Sequence, residues 1–191
     1  QRERISTLLV DGDILVYKIG YISDAEAKYK HPESWQGENY LPLVLWHIDK
    51  VVDGLKEQFP NATECIIYLS GPKNFRKEVA TLKPYKGNRT QEKPKYYLEI
   101  RDYLVKTYGA IVADNEEADD LMGIAQFAKP DKSTVICSID KDLDMIPGLH
   151  YNDKKDRLYE INLGQAERFY HLQLLTGDAT DDVPGVPGIG R

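Results

Sequence analysis

Apolar positions along the chain alternate between two rhythms. Short β-branched or aliphatic runs at Thr7 to Val10, Cys65 to Leu69, Ala110 to Ala113 and Thr134 to Ile139 read as buried strands, and a further strand is predicted at 157 to 161. Between them the period lengthens. Leu41, Val44, Leu45, Ile48, Val51, Val52, Leu55 and Phe59 recur at helical spacing, which predicts an amphipathic helix over 41 to 59, stopped by Pro60-Asn61. Helical patterns also cover Ile14 to Ile22, Tyr96 to Tyr108, about 116 to 128, and 164 to 175, with a short turn at 142 to 148. Residues 23 to 40, polar and aromatic without a clear period, are predicted to be loop. Strands alternating with helices predict an α/β fold whose central sheet is largely parallel and covered on both faces.

Acidic residues collect just past these elements. Glu116-Glu117-Ala118-Asp119-Asp120 places four carboxylates in five residues at the start of a predicted helix, more than the N-terminal dipole requires. Asp11 and Asp13 follow the first strand, Asp140, Asp142 and Asp144 follow the strand that includes Ile136, and Asp178, Asp181 and Asp182 lie near the end. In a parallel sheet the carboxyl ends of the strands share one edge, where ligands bind in open α/β folds. Carboxylates converging there repel by on the order of several kcal/mol unless a cation neutralises them. Hard oxygen donors without a neighbouring His or Cys select Mg²⁺ or Mn²⁺ over zinc. Glu117 and Asp119 do not share a helical face, so they converge only if the helix has barely begun at Glu117. Asp13 and Asp144 read equally well as turn residues, and Asp114, Glu116 and Asp182 as local charge.

Composition narrows the class. The 191 residues are 41% hydrophobic and 29% charged, enough for one core with a small appendage. No long apolar run or signal pattern is present, which predicts a cytoplasmic location. Cys65 and Cys137 fall inside strand-like runs and are expected as buried, reduced thiols. The net charge of −6 is uneven. Residues 73 to 106 hold ten basic and four acidic side chains, a local +6 that leaves −12 elsewhere. Pro84, Gly87 and Pro94 break that basic stretch into short pieces, an excursion over the acidic edge. A basic segment beside an acidic edge is the charge layout of an enzyme that grips and cuts a phosphodiester backbone. A plain solvated face is the alternative for Lys83, Lys86, Arg89 and Lys93, and core packing the alternative to base stacking for Tyr85.

The final stretch, Gly177-Asp178 through Val183-Pro184-Gly185-Val186-Pro187-Gly188-Ile189-Gly190, is different in kind. Its glycines suggest a hairpin whose backbone N–H groups hold a phosphate without reading sequence. The chain ends at Arg191, where a second helix is expected to begin, so the polypeptide looks cut short.

Five segments together resemble the structure-specific 5′ nucleases, which include flap endonucleases, the 5′ nuclease domain of bacterial DNA polymerase I and tailed-phage 5′ exonucleases. They are Val-Asp-Gly-Asp at 10 to 13, Phe75-Arg76 with Tyr85-Lys86-Gly87-Asn88-Arg89, Glu117-Ala118-Asp119-Asp120, Asp140-Lys141-Asp142, and Gly177-Asp178 through Gly190. They occur in family order across nearly the whole chain. The resemblance implies a PIN-like domain over 1–162, with a basic arch-like segment at about 73–95, and a helix-three-turn-helix element beginning at 163–191. It implies two-metal hydrolysis of DNA from a 5′ end or flap, with RNA in RNA–DNA hybrids as a further substrate and 5′ phosphates as products. Asp11, Glu117, Asp119, Asp120, Asp140 and Asp142 match the metal ligands or their outer shell, and Asp178 and Asp181 the acids that open the duplex-binding element. Lys86 and Arg89 match the arch residues that meet the scissile phosphate, with Asp11, Glu117 and Asp140 counted beside them as catalytic. Arg76, Lys83 and Tyr85 fall in the DNA-facing set. Gly185, Gly188 and Gly190 match the hairpin, where the family often binds K⁺.

Two departures from the family stand out. Many members end the second strand in an acid, and the corresponding place here is near Ser70-Gly71. The arch segment is also short. A phage origin, with the host cytoplasm as location, follows from the resemblance alone. Two other functions stay open: a PIN-type ribonuclease, which ordinarily lacks the glycine hairpin and the basic excursion, and a catalytically silent module that binds branched DNA.

Overall fold

The computed structural model describes residues 2–73, 75–80, 91–129 and 131–189. Six strands form the central sheet: β1 (Thr7–Asp11), β2 (Glu64–Leu69), β3 (Ile111–Val112), β4 (Thr134–Cys137), β5 (Gly148–Asn152) and β6 (Arg157–Ile161). Their order is β3-β2-β1-β4-β5-β6, parallel from β3 to β5, with β6 antiparallel at the edge. The helices are α1 (Gly12–Lys30), α2 (Leu41–Gln58), α3 (Arg76–Val79), α4 (Tyr97–Tyr108), α5 (Ala118–Phe127) and α6 (Leu163–Thr176). After α6 two short strands, β7 (Gly177–Asp178) and β8 (Val183–Pro184), pair antiparallel.

Side-chain alternation divides the core into two layers. Leu8 and Val10 of β1, Ile67 and Leu69 of β2, and Val135 and Cys137 of β4 pack with the buried faces of α1, α2 and α4. Their neighbours Leu9, Tyr68 and Ile136 point the other way, onto Ala118 and Met122 of α5 and onto Leu143. Strands covered on both faces read as continuous apolar runs, which is why β1 and β4 were legible. The strand order reverses between β1 and β4, so the carboxyl ends of these two strands flank the switch point, where open α/β sheets bind ligands. Among the described residues no helix is long and apolar enough to cross a membrane. Cys65 is half-buried and Cys137 buried, both free, and burial pushes both thiols up.

Several sequence expectations need correction. The first helix runs to Lys30 instead of ending at Ile22. Its second half buries Gly20, Ser23, Asp24 and Ala27, residues too small or too polar to produce an apolar rhythm. Asp24 is tolerated there because it accepts from the Tyr40 hydroxyl at 2.7 Å and the Lys95 amide at 3.0 Å. Strand β5 was missed. It opens at Gly148, whose φ of +126° puts the backbone where a Cβ would lie 2.4 Å from Gln126 Nε2, and its inward side chains include His150. The expected turn at 142 to 148 is a 3₁₀ helix over Lys141–Met145. The third strand is shorter than expected, at two residues.

Candidate functional site

Asp11 ends β1 and caps α1. Its Oδ1 accepts from Ile14 N at 3.0 Å and its Oδ2 from Ser138 Oγ at 2.7 Å. Burial, against the lowering effect of these two bonds and with a smaller push from Asp13 and Asp140, drives the carboxyl from an ordinary 3.8 up to about 6. Ser138, just past β4, also accepts from Asp140 N at 3.0 Å. One hydroxyl therefore joins the two acidic turns across the switch point. Asp140 caps the 3₁₀ helix by accepting from Asp142 N at 2.9 Å.

The other acids surround a cavity of about 1120 Å³, whose wall includes Glu117, Asp119, Asp120, Asp140, Asp142, Asp178 and Asp181 together with Arg76 and Gln173. Helix α5 begins at Ala118 with Glu117 as its cap, the geometry that lets Glu117 and Asp119 face one space despite their helical spacing. Asp142 is pushed up to about 6, first by burial and then by Asp140 and Asp178, with Lys141 opposing. For Asp178 burial also pushes upward. The bonds from Thr180 N, Gln173 and Asp181 N, aided by Lys141, outweigh it and leave the carboxyl below its ordinary value. Gln173 Nε2 donates to Asp178 Oδ2 at 2.9 Å and lies 3.4 Å from Asp142 Oδ1, bridging α6 to the 3₁₀ helix.

Among the described residues no three His, Cys, Asp or Glu side chains are close enough together to ligate one ion. Arg76 has a share in that spacing. Its guanidinium donates to both Asp120 oxygens, at 2.7 and 2.8 Å, and lies 3.6 Å from Glu117. The donor chemistry nevertheless fits a hard cation. The cavity wall offers carboxylate oxygens and no His or Cys, and the carboxyls of Asp11 and Asp142 are forced upward in part by their acidic neighbours, a cost that a bound cation removes.

No protein-family profile matches the chain. Sequence relatives and solved structures do. The chain is 25% identical to the 5′-3′ exonuclease of Buchnera aphidicola from Schizaphis graminum, over 96% of this chain and 66% of that protein. It is 32% identical to DNA polymerase I of Rhizobium leguminosarum, over 65% of this chain but 14% of the polymerase. Its fold superposes on the bacteriophage T5 D15 flap endonuclease, solved with DNA and metal ions, with a TM-score of 0.68, 20% identity, and coverage of 97% of this chain and 71% of that one. The chain is thus similar in sequence to 5′-3′ exonucleases and shares its fold with a phage 5′ nuclease. It spans about two thirds of the Buchnera relative's length.

The sequence-predicted residues do not all fall in one place. Glu117, Asp119, Asp120, Asp140, Asp142, Asp178 and Asp181 line the same cavity, whereas Asp11 lines a smaller neighbouring pocket and is linked to the Asp140 turn through Ser138. Arg76, expected to meet DNA, lines the cavity and pairs with Asp120. Lys83, Tyr85, Lys86, Arg89 and Gly190 lie outside the described residues. Gly188 has a φ of +83°, and a Cβ on Gly185 would lie 2.4 Å from the carbonyl carbon of Thr176, so both hairpin positions demand glycine. Ser138 and Gln173 escaped sequence reading. Ser138 had one usable signal, a hydroxyl directly after a buried strand, and Gln173 had none.

Proposed function

We propose that the protein is a metal-dependent 5′ nuclease that hydrolyses DNA from a 5′ end or flap, accepts RNA–DNA hybrids, and leaves 5′ phosphates. The observation that carries this reading is the convergence of carboxylates from three separate chain segments on one cavity at the switch point of a fold shared with a flap endonuclease. Asp11, Glu117, Asp119, Asp120, Asp140, Asp142, Asp178 and Asp181 would hold two Mg²⁺ or Mn²⁺ ions, directly or through water. The ions, when bound, supply a hydroxide nucleophile at neutral pH and stabilise the leaving 3′ oxygen.

The chain's own residues do the rest. Ser138 holds Asp11 and the Asp140 turn in one orientation. Gln173 keeps Asp178 beside Asp142, tying the start of the 163–191 element to the site. Arg76 neutralises Asp120 until a cation takes that charge over, and is then available to a phosphate. Lys86 and Arg89, by resemblance, supply positive charge to the phosphorane. We read 163–191 as the start of a helix-three-turn-helix element that grips duplex backbone through the glycine hairpin, with K⁺ between hairpin and phosphate.

The deciding experiment incubates a 5′-labelled flap substrate and a matched blunt duplex with the protein in Mg²⁺ and in EDTA, and sizes the products at single-nucleotide resolution. Metal-dependent release of mononucleotides or short flaps is expected. Intact DNA beside degraded single-stranded RNA would reassign the protein to the PIN-type ribonucleases, and binding without any cleavage would leave a branched-DNA-binding module. Asp140→Asn should abolish cutting while leaving DNA affinity within a few-fold. Near-normal turnover by that variant would remove Asp140 from the site.

A further inference from the structure

Beside the cavity a second polar group links elements that the cleavage chemistry does not itself use. Asp13, two residues past Asp11, accepts from Ser70 N at 2.9 Å through one oxygen and pairs with Arg101 Nη1 at 3.0 Å through the other. Arg101, on α4, donates its second amino group to the Ser70 carbonyl at 2.7 Å. The Ser70 hydroxyl accepts from Ala118 N at 3.0 Å, the first amide of α5 and the one next to Glu117. Ser70 is thus held at its amide, its carbonyl and its hydroxyl, and its partners come from three helices.

Close backbone contact makes this arrangement stiff. A Cβ on Gly12 would lie 2.5 Å from the Tyr68 carbonyl oxygen, and one on Gly71 would lie 2.0 Å from that of Ala113. The exits of β1, β2 and β3 are therefore pressed together with no room for side chains between them. Arg101 and Asp13 are both largely shielded, at 16% and 27% side-chain exposure, so their pairing is less screened than a surface ion pair.

We propose that Asp13, Ser70 and Arg101 form a positioning clamp that sets the Asp11 turn and the Glu117 turn at a fixed separation, so that carboxylates from β1 and from α5 can share a divalent cation. Asp13 is committed to the Arg101 guanidinium and the Ser70 amide, so it acts here as a positioning residue. Ser70 is the joint, because it touches both the Asp13 side and the first amide of α5. The clamp rests on the nuclease reading of the site, and it predicts a defect in cation capture separate from DNA binding.

The test measures Mn²⁺ binding by calorimetry on the DNA-free protein, and DNA affinity in EDTA, for the wild type, Ser70→Ala, Arg101→Lys, Arg101→Gln, Asp13→Asn and the Asp13→Asn/Arg101→Gln double variant. Ser70→Ala and Arg101→Gln are each expected to weaken Mn²⁺ binding roughly tenfold or more, with DNA affinity within twofold of wild type. Arg101→Lys should restore part of the loss, and the double variant should bind no more weakly than the worse single one. Should Arg101→Gln fail to fold, Ser70→Ala and Arg101→Lys still decide the matter. Unchanged Mn²⁺ binding in those two, beside a wild type that binds Mn²⁺ and cuts DNA, overturns the clamp alone. A wild type that neither binds Mn²⁺ nor cuts overturns the nuclease reading, and the clamp with it.

Discussion

At the end of β1, Asp11 holds its carboxyl where almost no water reaches, and its ionised form costs the fold about 3 kcal/mol near pH 8. The sign follows from the direction of the shift. With a folded value near 6, above the ordinary 3.8, the group's contribution to stability is fully present below about pH 4 and is lost as pH rises through 6. Asp11→Asn keeps an oxygen for Ile14 N and a group that can meet Ser138, so in EDTA at pH 8 it should melt several degrees above wild type. The gain should vanish at pH 4, while cleavage in Mg²⁺ is lost. Thermal melts at the two pH values would settle it, and an unchanged melting temperature at pH 8 would count against a strained, ionised Asp11. A carboxylate kept at such a cost is best understood through the cation it would hold.

Among the elements, α1 and α5 show how local sequence and packing share the work. Helix α5 starts where it does because Glu117 caps it and Asp120 accepts from Glu117 N at 3.1 Å, both short-range events visible as acids spaced three apart. Helix α1 continues past Ile22 for a long-range reason, since Asp24 has to meet Tyr40 and Lys95. Asp24→Ala should therefore cost roughly 2 to 4 kcal/mol in urea unfolding, since it leaves a partly buried amide and a hydroxyl without their acceptor. Loss of under 0.5 kcal/mol would mean that water replaces the carboxylate at no cost. Gly71→Ala makes a second demand on packing, because its methyl would meet a backbone oxygen that cannot swing away. We expect about 1 to 3 kcal/mol of destabilisation by the same measurement, and a neutral result would show that the β2 and β3 exits can separate.

For the molecule as a whole, sheet order explains why acids distant in sequence meet. The reversal between β1 and β4 opens the edge at that point, α5 brings the Glu117 turn to it from the β3 side, and α6 brings Asp178 from the other. Mutual repulsion along this edge opposes folding, so a cation held there as proposed, Mg²⁺ first, should stabilise the native state. At a concentration one hundred times the dissociation constant the gain is about 2.7 kcal/mol, read as a rise in melting temperature over EDTA. The rise should shrink in Asp140→Asn and persist in a surface control such as Lys132→Ala, whose ion pair with Glu160 is exposed. An equal Mg²⁺ response in Asp140→Asn would place the stabilising ion elsewhere.

The sequence by itself determined the α/β class, the parallel strands β1, β2 and β4, and the acidic turns after β1 and β4 and at the start of α5. Each of these rests on interactions within a few residues: alternation on a doubly covered sheet, side chains capping helix starts, and carboxylates crowded along a short stretch. Tertiary structure alone decided that Arg76 faces the acids, that Ser138 and Gln173 join turns far apart in the chain, and that Asp13 belongs to Arg101 and Ser70. It also decided the second half of α1, whose buried positions are filled by Gly, Ser, Asp and Ala, and β5, which opens on a left-handed Gly148 and buries His150 between Leu149 and Tyr151. Polar and small residues become interior only when partners from elsewhere satisfy or cover them, and a linear pattern of hydrophobicity does not carry that information.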